Sequence, residues 1–449
     1  NERSRCARMV GHDRPESVVT IGQNTHWRLW RFQWSFFLLT VGARCNQLAI
    51  AWWALKETGS VSFFSIIIAC TIGAEVLAKP LLGWTGDRYP KMKIVRVCNV
   101  LSMTGAAGLL ILSFLDHFSA ILVTMAMMVL GVAVGIRDPI QSSIIPQLAS
   151  PGRASAAFNQ KALLSSIAML LGPAIAGLLV STFGVVQALS IDLIIIVAAL
   201  IMICKFNVDE SATTRRTIAD VDKVPFITPW HVLISSGFKV VFKVKMEFYL
   251  ALLAMMINLV LFPFFAVIVP FYVQETVHLP AWYIGLLDCS FGIGILLASR
   301  IMARLARQRL FRDHLIMAGF GLLGLNLLAV GFSFAPFVLP IFFILGGMGL
   351  IFINVNTSMV RTLATPAEFR NRMAATVSFF SSLAIPIGSL IMGFAISNYG
   401  VEATSKITGM AILVLMFGVA IIPNIRLFMR MSEDELDEAY SRIYPAAFQ

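Results

Sequence analysis

Among the ionisable side chains inside, or at the very ends of, stretches that are otherwise apolar, six stand out: Arg44, Glu75, Lys79, Arg137, Asp138 and Asp288. A charge in hydrocarbon costs about 2.5–3.5 kcal/mol even on permissive insertion scales, so such residues mark solute or proton pathways by default. Glu75 lies ~13 Å from the inner end of its stretch at 1.5 Å per residue, and Arg44 is at a similar depth in its own. A buried Arg44–Glu75 pair is therefore expected, either as a substrate or proton site or as a structural ion pair. Lys79, one helical turn from Glu75, either pairs with it or snorkels to the inner surface, and snorkelling is the preferred reading. Arg137 and Asp138 stand near an inner helix end, where they form an inner gate with Lys79 and Asp87 or a solvated pair. Asp288 falls early in its stretch and reads as interfacial, with the proton path as the alternative; Asp192 is a weaker candidate of the same kind.

Neutral groups offer a second kind of chemistry. Asn258, Asn354 and Asn356 with Ser378, Ser381 and Ser382 occur amid Phe262, Phe264, Phe265, Phe379 and Phe380. An apolar cavity with a few polar anchors suits an amphipathic ligand, while helix packing through Ser and Asn is the competing explanation. Pro263 and Pro270 should kink their helix and make a moving gate, because each lacks a backbone donor and crowds the preceding turn. Gly131 with Gly135, and Gly346 with Gly347, read as close-packing positions. The sequence has no Gly-Lys phosphate loop, no His and Cys metal constellation and no nucleophile motif, so no cofactor, metal or enzymatic activity is expected. His117, His278 and His314 are isolated near span ends and read as surface histidines.

The elements that carry these residues are membrane helices. A chain that is 58% hydrophobic and only 13% charged lies far from soluble-domain composition, about 45–50% and 25%. Apolar runs of bilayer-spanning length occur at about 31–55, 62–84, 94–115, 120–141, 161–183 and 187–206, then at 246–274, 282–304, 314–333, 337–360, 373–397 and 403–428. The fold class is all-α polytopic: twelve transmembrane helices in two pseudo-symmetric six-helix bundles. The expected divisions are an N-terminal arm (1–30), a first bundle (31–206), a central loop (207–245), a second bundle (246–428) and a tail (429–449). All 35 Lys and Arg except Arg44, Lys56, Lys79 and Lys406 fall on the side that holds both termini. That bias makes the termini cytoplasmic and explains the net charge of +11 without nucleic acid. The first span is expected to act as the targeting signal, since Asn1 to Thr25 has no apolar core. The six cysteines show no ligand-like spacing and read as buried thiols. Trp230 to Lys245 has helical periodicity and reads as an interfacial helix. At the C-terminus Ser432 and Glu435 carry a capping-box signature ahead of an apolar face made by Leu436, Ala439, Tyr440 and Ile443, which is expected to dock on the inner side, with a disordered tail as the alternative.

An internal repeat supports the division into halves. At an offset of 216, Ser165, Ser166, Ala168, Gly172, Ile175, Gly177, Ser181, Gly184 and Val185 meet Ser381, Ser382, Ala384, Gly388, Ile391, Gly393, Ser397, Gly400 and Val401. Duplicated six-helix halves flank a midplane site reached alternately from either side.

The tight basic turn GWTGDRYPKMK, Gly83 to Lys93, resembles the loop between the second and third helices of the major facilitator superfamily. Gly83, Asp87, Arg88 and Lys91 fit that family's pattern, whereas Thr85, Gly86, Pro90 and Met92 depart from it. The resemblance implies that Asp87 acts as a latch near Arg372 at the start of the eleventh helix. LLGPAIAG, Leu170 to Gly177, is similar to the family's antiporter motif, with Gly172, Pro173 and Gly177 in place and Ala176 where a second Gly is common. Asn354 to Met373, with Ile145 to Gln160, looks most like the branch holding the enterobactin exporter and macrolide efflux proteins, with a weaker likeness to lysophospholipid facilitators. The resemblance covers about residues 30 to 428. It implies a proton-coupled exporter of an amphipathic small molecule, such as a siderophore or drug, working by alternating access as a monomer in a bacterial-type inner membrane. Its partners would be the solute, protons and membrane lipid, with no nucleic acid. The alternatives are an uncoupled lysophospholipid facilitator and a non-transporting sensor on the same fold.

Overall fold

The computed structural model describes residues 15–82, 85, 89–149, 154–204, 238–305 and 312–448, and every regular element among them is helical. In the first half these are α1 (Pro15–Thr58), α2 (Val61–Leu82), α3 (Lys91–Phe114), α4 (Ala120–Leu148), α5 (Ala154–Phe183) and α6 (Val185–Cys204). In the second half α7 begins as Lys245–Pro263, passes through a π-helical turn at Phe264–Ile268 and a short α segment at Val269–Phe271, and ends in a second π-helical turn at Tyr272–Thr276. Then come α8 (Trp282–Leu305), α9 (Arg312–Gly331) and α10 (Leu339–Ala364). The run Ala367–Ile421 is two helices, α11 (367–399) and α12 (401–421), because Gly400 takes φ 79° and ψ 166° between them. Three short tail helices follow: α13 (Ile425–Arg430), α14 (Glu433–Leu436) and α15 (Ala439–Ile443).

Ten of the described helical runs are long and apolar enough to cross a bilayer, with the run through Gly400 taken as one. Dividing that run at Gly400 adds an eleventh crossing. α1 is the twelfth; Gln33, Arg44, Asn46 and Gln47 make it the most polar of the set. Its backbone is helical from Pro15, well ahead of the expected start near Arg31, in keeping with proline's preference for a helix's first turn. At the other end of the chain the last crossing stops at Ile421 rather than 428, because Pro423 and Asn424, at φ 61°, turn the chain into α13. Of the expected interfacial helix before α7, residues 238–243 are described and are helical; 230–237 lie outside the described residues.

The two halves pack as copies. In the first, α5 lies on α1, α2 on α4, and α3 on α6; in the second, α7 lies on the α11–α12 run, α8 on α10, and α9 on the same run. The repeat seen in the sequence has a physical cause at each glycine. Gly184 and Gly400 both occupy the left-handed region, at φ 89° and 79°, where they turn α5 into α6 and α11 into α12. Gly172 lets α5 meet α1 at Arg44, and Gly388 lets α11 meet α7 at Leu259. Gly177 brings α5 against Ala281 and Trp282 where the chain enters α8, and Gly393 brings α11 against Ser65 of α2. These last two contacts join the bundles near the face opposite the termini, where Ser62 and Ser397 also share a hydrogen bond of 2.7 Å.

The tail docks as its pattern predicts. Ser432 N–H donates to Glu435 Oε2 at 2.7 Å and Glu435 N–H to Ser432 Oγ at 3.2 Å, which is the reciprocal capping box. Leu436, Ala439 and Tyr440 are buried, while Ile443 stays exposed. Glu438 N–H donates to the Leu363 carbonyl at 3.1 Å and Arg430 pairs with Asp313 at 3.2 Å. Beneath the tail, Glu247 of α7 pairs with Arg361 of α10 and accepts a bond from the Tyr440 hydroxyl at 3.1 Å. Burial, with the Glu247 carboxylate close by, holds the Tyr440 hydroxyl well above the ordinary phenol range.

Candidate functional site: a cavity at the seam of the bundles

Arg44 is placed by the crossing of α1 and α5. A Cβ on Gly172 would lie 2.9 Å from Arg44 Cβ and 3.0 Å from its Cγ, so only glycine lets the helices close here with the arginine stem between them. The next residue, Pro173, offers its carbonyl to the face of α8 at Gly285, where a Cβ would come within 2.6 Å of it. One turn further along α8, Cys289 Sγ donates to the Leu170 carbonyl at 3.0 Å. Asp288 sits between these two contacts and reaches the space that Arg44 enters from the other bundle. The two halves of the antiporter-like motif thus have separate tasks: Gly172 seats Arg44, and Pro173 seats the α8 segment that bears Asp288.

The expected Arg44–Glu75 pair does not form. Glu75 instead binds Lys79 at 2.8 Å on its own helix, so Lys79 does not snorkel away. Arg44 Nη1 donates to Gln47 Oε1 at 3.1 Å, and Arg44 borders both the space that Glu75 lines and the space that Asp288 lines. The physical reason is rotational. Arg44 finds its partner in Gln47 and Glu75 finds its own in Lys79, each on its own helix, which sequence depth alone does not reveal. Asp288 is accordingly not an interfacial residue: it lines the cavity, and its Oδ1 has no hydrogen-bond partner among the described residues.

Two chambers meet at Arg44, Gln47 and Phe262. The larger, about 340 Å³, lies toward the second bundle and is walled by Phe262, Phe265, Phe291, Ile257, Leu261 and Leu350, with Asn258, Asn354 and Asp288 as its polar groups. The smaller, about 320 Å³, lies mainly within the first bundle and has more charged residues in its wall, with Glu75, Arg137, Asp138 and Asp192 beside Ser102. Arg137 Nε is 3.6 Å from Asp138 Oδ1.

Other expected residues fall elsewhere. Asn356 is buried in helix packing and donates to the Phe352 carbonyl at 2.7 Å. Ser381 lines neither chamber. Phe264 is fully buried against Phe265 and Phe343, and Phe379 and Phe380 stack on Phe238 rather than on the cavity. Pro263 and Pro270 do interrupt α7: π-helical turns follow both, as expected where a missing donor widens the helix, and Pro270 borders the larger chamber. Gly131 and Gly135 press α4 onto the backbone of α2. Of the expected latch, Gly83, Asp87 and Arg88 and the side chain of Arg372 lie outside the described residues; Lys91 opens α3. The five described cysteines are free thiols.

Several polar residues at the site escaped sequence reading. Gln47, one turn beyond Arg44, had no charge to draw notice. Asn46, likewise uncharged, donates from α1 at 2.8 Å to Asp192 of α6, the weaker candidate, which lies far away in the chain. Glu247, completely buried outside the two chambers, was not singled out; a glutamate and Arg361 at matching depths of two spans was the available signal.

Twelve helices in two copied bundles, joined around a cavity that takes charged groups from both, define a polytopic membrane transporter. Residues 34–364 match the family model described as the Major Facilitator Superfamily, and the chain belongs to that superfamily. Macrolide efflux protein A of Streptococcus pyogenes is 21% identical to it over 384 residues, 85% of this chain and 92% of that protein. The Staphyloferrin A transporter of Staphylococcus aureus is 24% identical over 152 residues, 33% of this chain and 38% of that protein. Among solved structures, the nucleoside transporter NupG superposes with a TM-score of 0.71 at 11% identity, covering 88% of this chain and all of that one (100%). A peptide transporter POT in complex with sulfate gives 0.66 at 15% identity, covering 90% and 96%. At these identities the structural likeness is one of fold.

Proposed function

We propose that the chain is a proton-coupled exporter of amphipathic small molecules, a monomer that works by alternating access in a bacterial inner membrane with both termini in the cytoplasm. The observation that carries this reading is the placement of Arg44 and Asp288, from opposite bundles, in the wall of one phenylalanine-lined chamber. The apolar body of a solute lies against Phe262, Phe265 and Phe291, and Asn258 and Asn354 offer hydrogen bonds to its polar groups. Asp288 attracts Arg44 only while ionised. Protonation removes that attraction and frees the seam, so solute and proton exchange can be tied to the same residue. The bundle contacts at Gly177, Gly393 and the Ser62–Ser397 pair lie on the face away from the termini, which supports entry of solute from the cytoplasmic side. The 85% overlap with a macrolide efflux protein supports a drug-like solute and export as the direction.

The test is uptake of a radiolabelled macrolide into inverted membrane vesicles. An interior-acid gradient should drive accumulation, and a protonophore should abolish it. Accumulation that ignores the gradient removes proton coupling from the reading; no transport across macrolides, siderophores and lysolipids removes the solute class.

A further inference from the structure

Away from the seam, three arginines line an open cavity of about 580 Å³ between α13 and α15. Arg426 and Arg430 stand one turn apart on α13, and Arg442 joins them from α15. Their charges are only partly matched. Arg426 is exposed and has no hydrogen bond or ion pair among the described residues. Arg442 Nη2 donates to the backbone carbonyls of Glu435 and of Asp437, the second at 2.9 Å, and neutral acceptors leave its charge uncancelled. Arg430 pairs with Asp313 at 3.2 Å. Among the described residues of the wall, Glu435 is the acid, and it is engaged in the capping box. Asp437 and Glu438 are exposed outside that wall, and the side chains of Glu433 and Asp434 lie outside the described residues.

The first turn of α9 fixes the level of this cavity in the bilayer. Arg430 bonds Asp313, and Arg312 Nη1 donates at 3.3 Å to the carbonyl of Met431, which also borders the cavity. α9 has 20 residues from Arg312 to Gly331, a length of ~30 Å that matches the hydrocarbon core. Its first turn therefore marks the boundary with the headgroups, where phospholipid phosphates begin. The neighbouring surface is apolar. Phe417 and Ile421 of α12 are 63% and 81% exposed, on a helix that crosses the bilayer, and Leu427 follows at 51%. Ile425, Phe428 and Met429 are buried, so α13 lies against the protein with Arg426, Leu427 and Arg430 outward. Ile443, the apolar tail residue left exposed, borders the same cavity as Leu427. A soluble anion would use the arginines alone, whereas a phospholipid uses both the cations and the apolar rim.

We propose that this cavity holds the headgroup phosphate of an anionic phospholipid from the leaflet on the side of the termini, with the upper part of an acyl chain against Leu427 and Ile421. Arg426 and Arg442 contact the phosphate, which a guanidinium can bind with two parallel hydrogen bonds, while Arg430 holds α13 to α9. The site is independent of the solute and of proton coupling.

The test uses the full chain, purified in neutral detergent, and phosphatidylglycerol with a photoreactive group high on one acyl chain; phosphatidylcholine with the same group is the comparison. Phosphatidylglycerol should label the peptides that hold Leu427 and Ile443, and phosphatidylcholine should do so far more weakly. A basic side chain at the headgroup level is worth about fivefold in attraction to anionic lipid. Arg426→Gln should therefore weaken the labelling about fivefold, and Arg426→Lys should restore most of it. Because Arg426 has no partner among the described residues, this loss is separable from unfolding. Millimolar inorganic phosphate should not displace the lipid. Equal labelling by the two lipids, labelling unmoved by Arg426→Gln, or displacement by inorganic phosphate, which would mark a site for free anions, overturns the proposal.

Discussion

Gly177→Ala should loosen the seal between the bundles. The added methyl would lie 2.7 Å from the Ala281 carbonyl oxygen, 3.0 Å from Trp282 Cα and 3.3 Å from the Ala281 carbonyl carbon. All three are backbone atoms of the segment leading into α8, so no side chain can rotate aside. Overpacking of this kind costs about 1–3 kcal/mol. Parting of the bundles relieves it, so the ratio of sealed to open forms should fall by about 5- to 150-fold. The readout lies on the other seam, where the Ser62 and Ser397 hydroxyls are 2.7 Å apart between α2 and α11. Cysteines at 62 and 397, in a chain whose own cysteines have been replaced, should cross-link readily on mild oxidation. Adding Gly177→Ala should cut the yield sharply, because rigid bundles that part at α5–α8 also part at α2–α11. An unchanged yield in a folded Gly177→Ala protein would refute this rigid-body coupling.

Four further outcomes follow from the contacts described. Arg361→Met leaves Glu247 buried with Tyr440 as its remaining donor and should cost about 3–5 kcal/mol, read as a lower melting temperature in detergent; adding Glu247→Gln should recover much of it, and a double variant no more stable than the single one would contradict the pairing. Tyr440→Phe removes the other bond to that carboxylate, worth about 1.5–3 kcal/mol, and should make the tail sensitive to limited proteolysis. Because burial raises the folded-state value of Tyr440, the folded chain holds the proton where the unfolded one loses it; tail docking should be intact below about pH 10 and weaken as pH rises above it, and protease resistance unchanged at higher pH would count against the effect. Lys79→Met should shift stability by about 0.2–0.5 kcal/mol at most, since the i, i+4 pair with Glu75 is partly exposed; a loss of several times that would show the pair to be structural.

Much of the fold was legible because a bilayer imposes one-dimensional rules. Apolar run length located the crossings, and the repeat at offset 216 marked the glycines at which α5 and α11 make equivalent contacts. The capping box at Ser432 was readable because its two bonds span only three residues. Helix rotation was not readable. Depth along a span placed Arg44 and Glu75 at one level but could not say that Arg44 bonds Gln47 and Glu75 bonds Lys79, each on its own helix. The same blindness assigned Phe379 and Phe380 to the cavity and Asp288 to the surface. Long-range buried pairs such as Asn46–Asp192 and Glu247–Arg361 were invisible for a related reason: each joins helices whose adjacency is a property of the bundle, not of the local sequence.

Proton exchange at the seam is tested most directly by following pH with an indicator dye while a macrolide is added to purified protein in weak buffer. Wild-type protein should release protons on binding, and Asp288→Asn should bind the drug with that release abolished. Binding without proton release in the wild type, or equal release from Asp288→Asn, would contradict the role given to the Arg44–Asp288 meeting point.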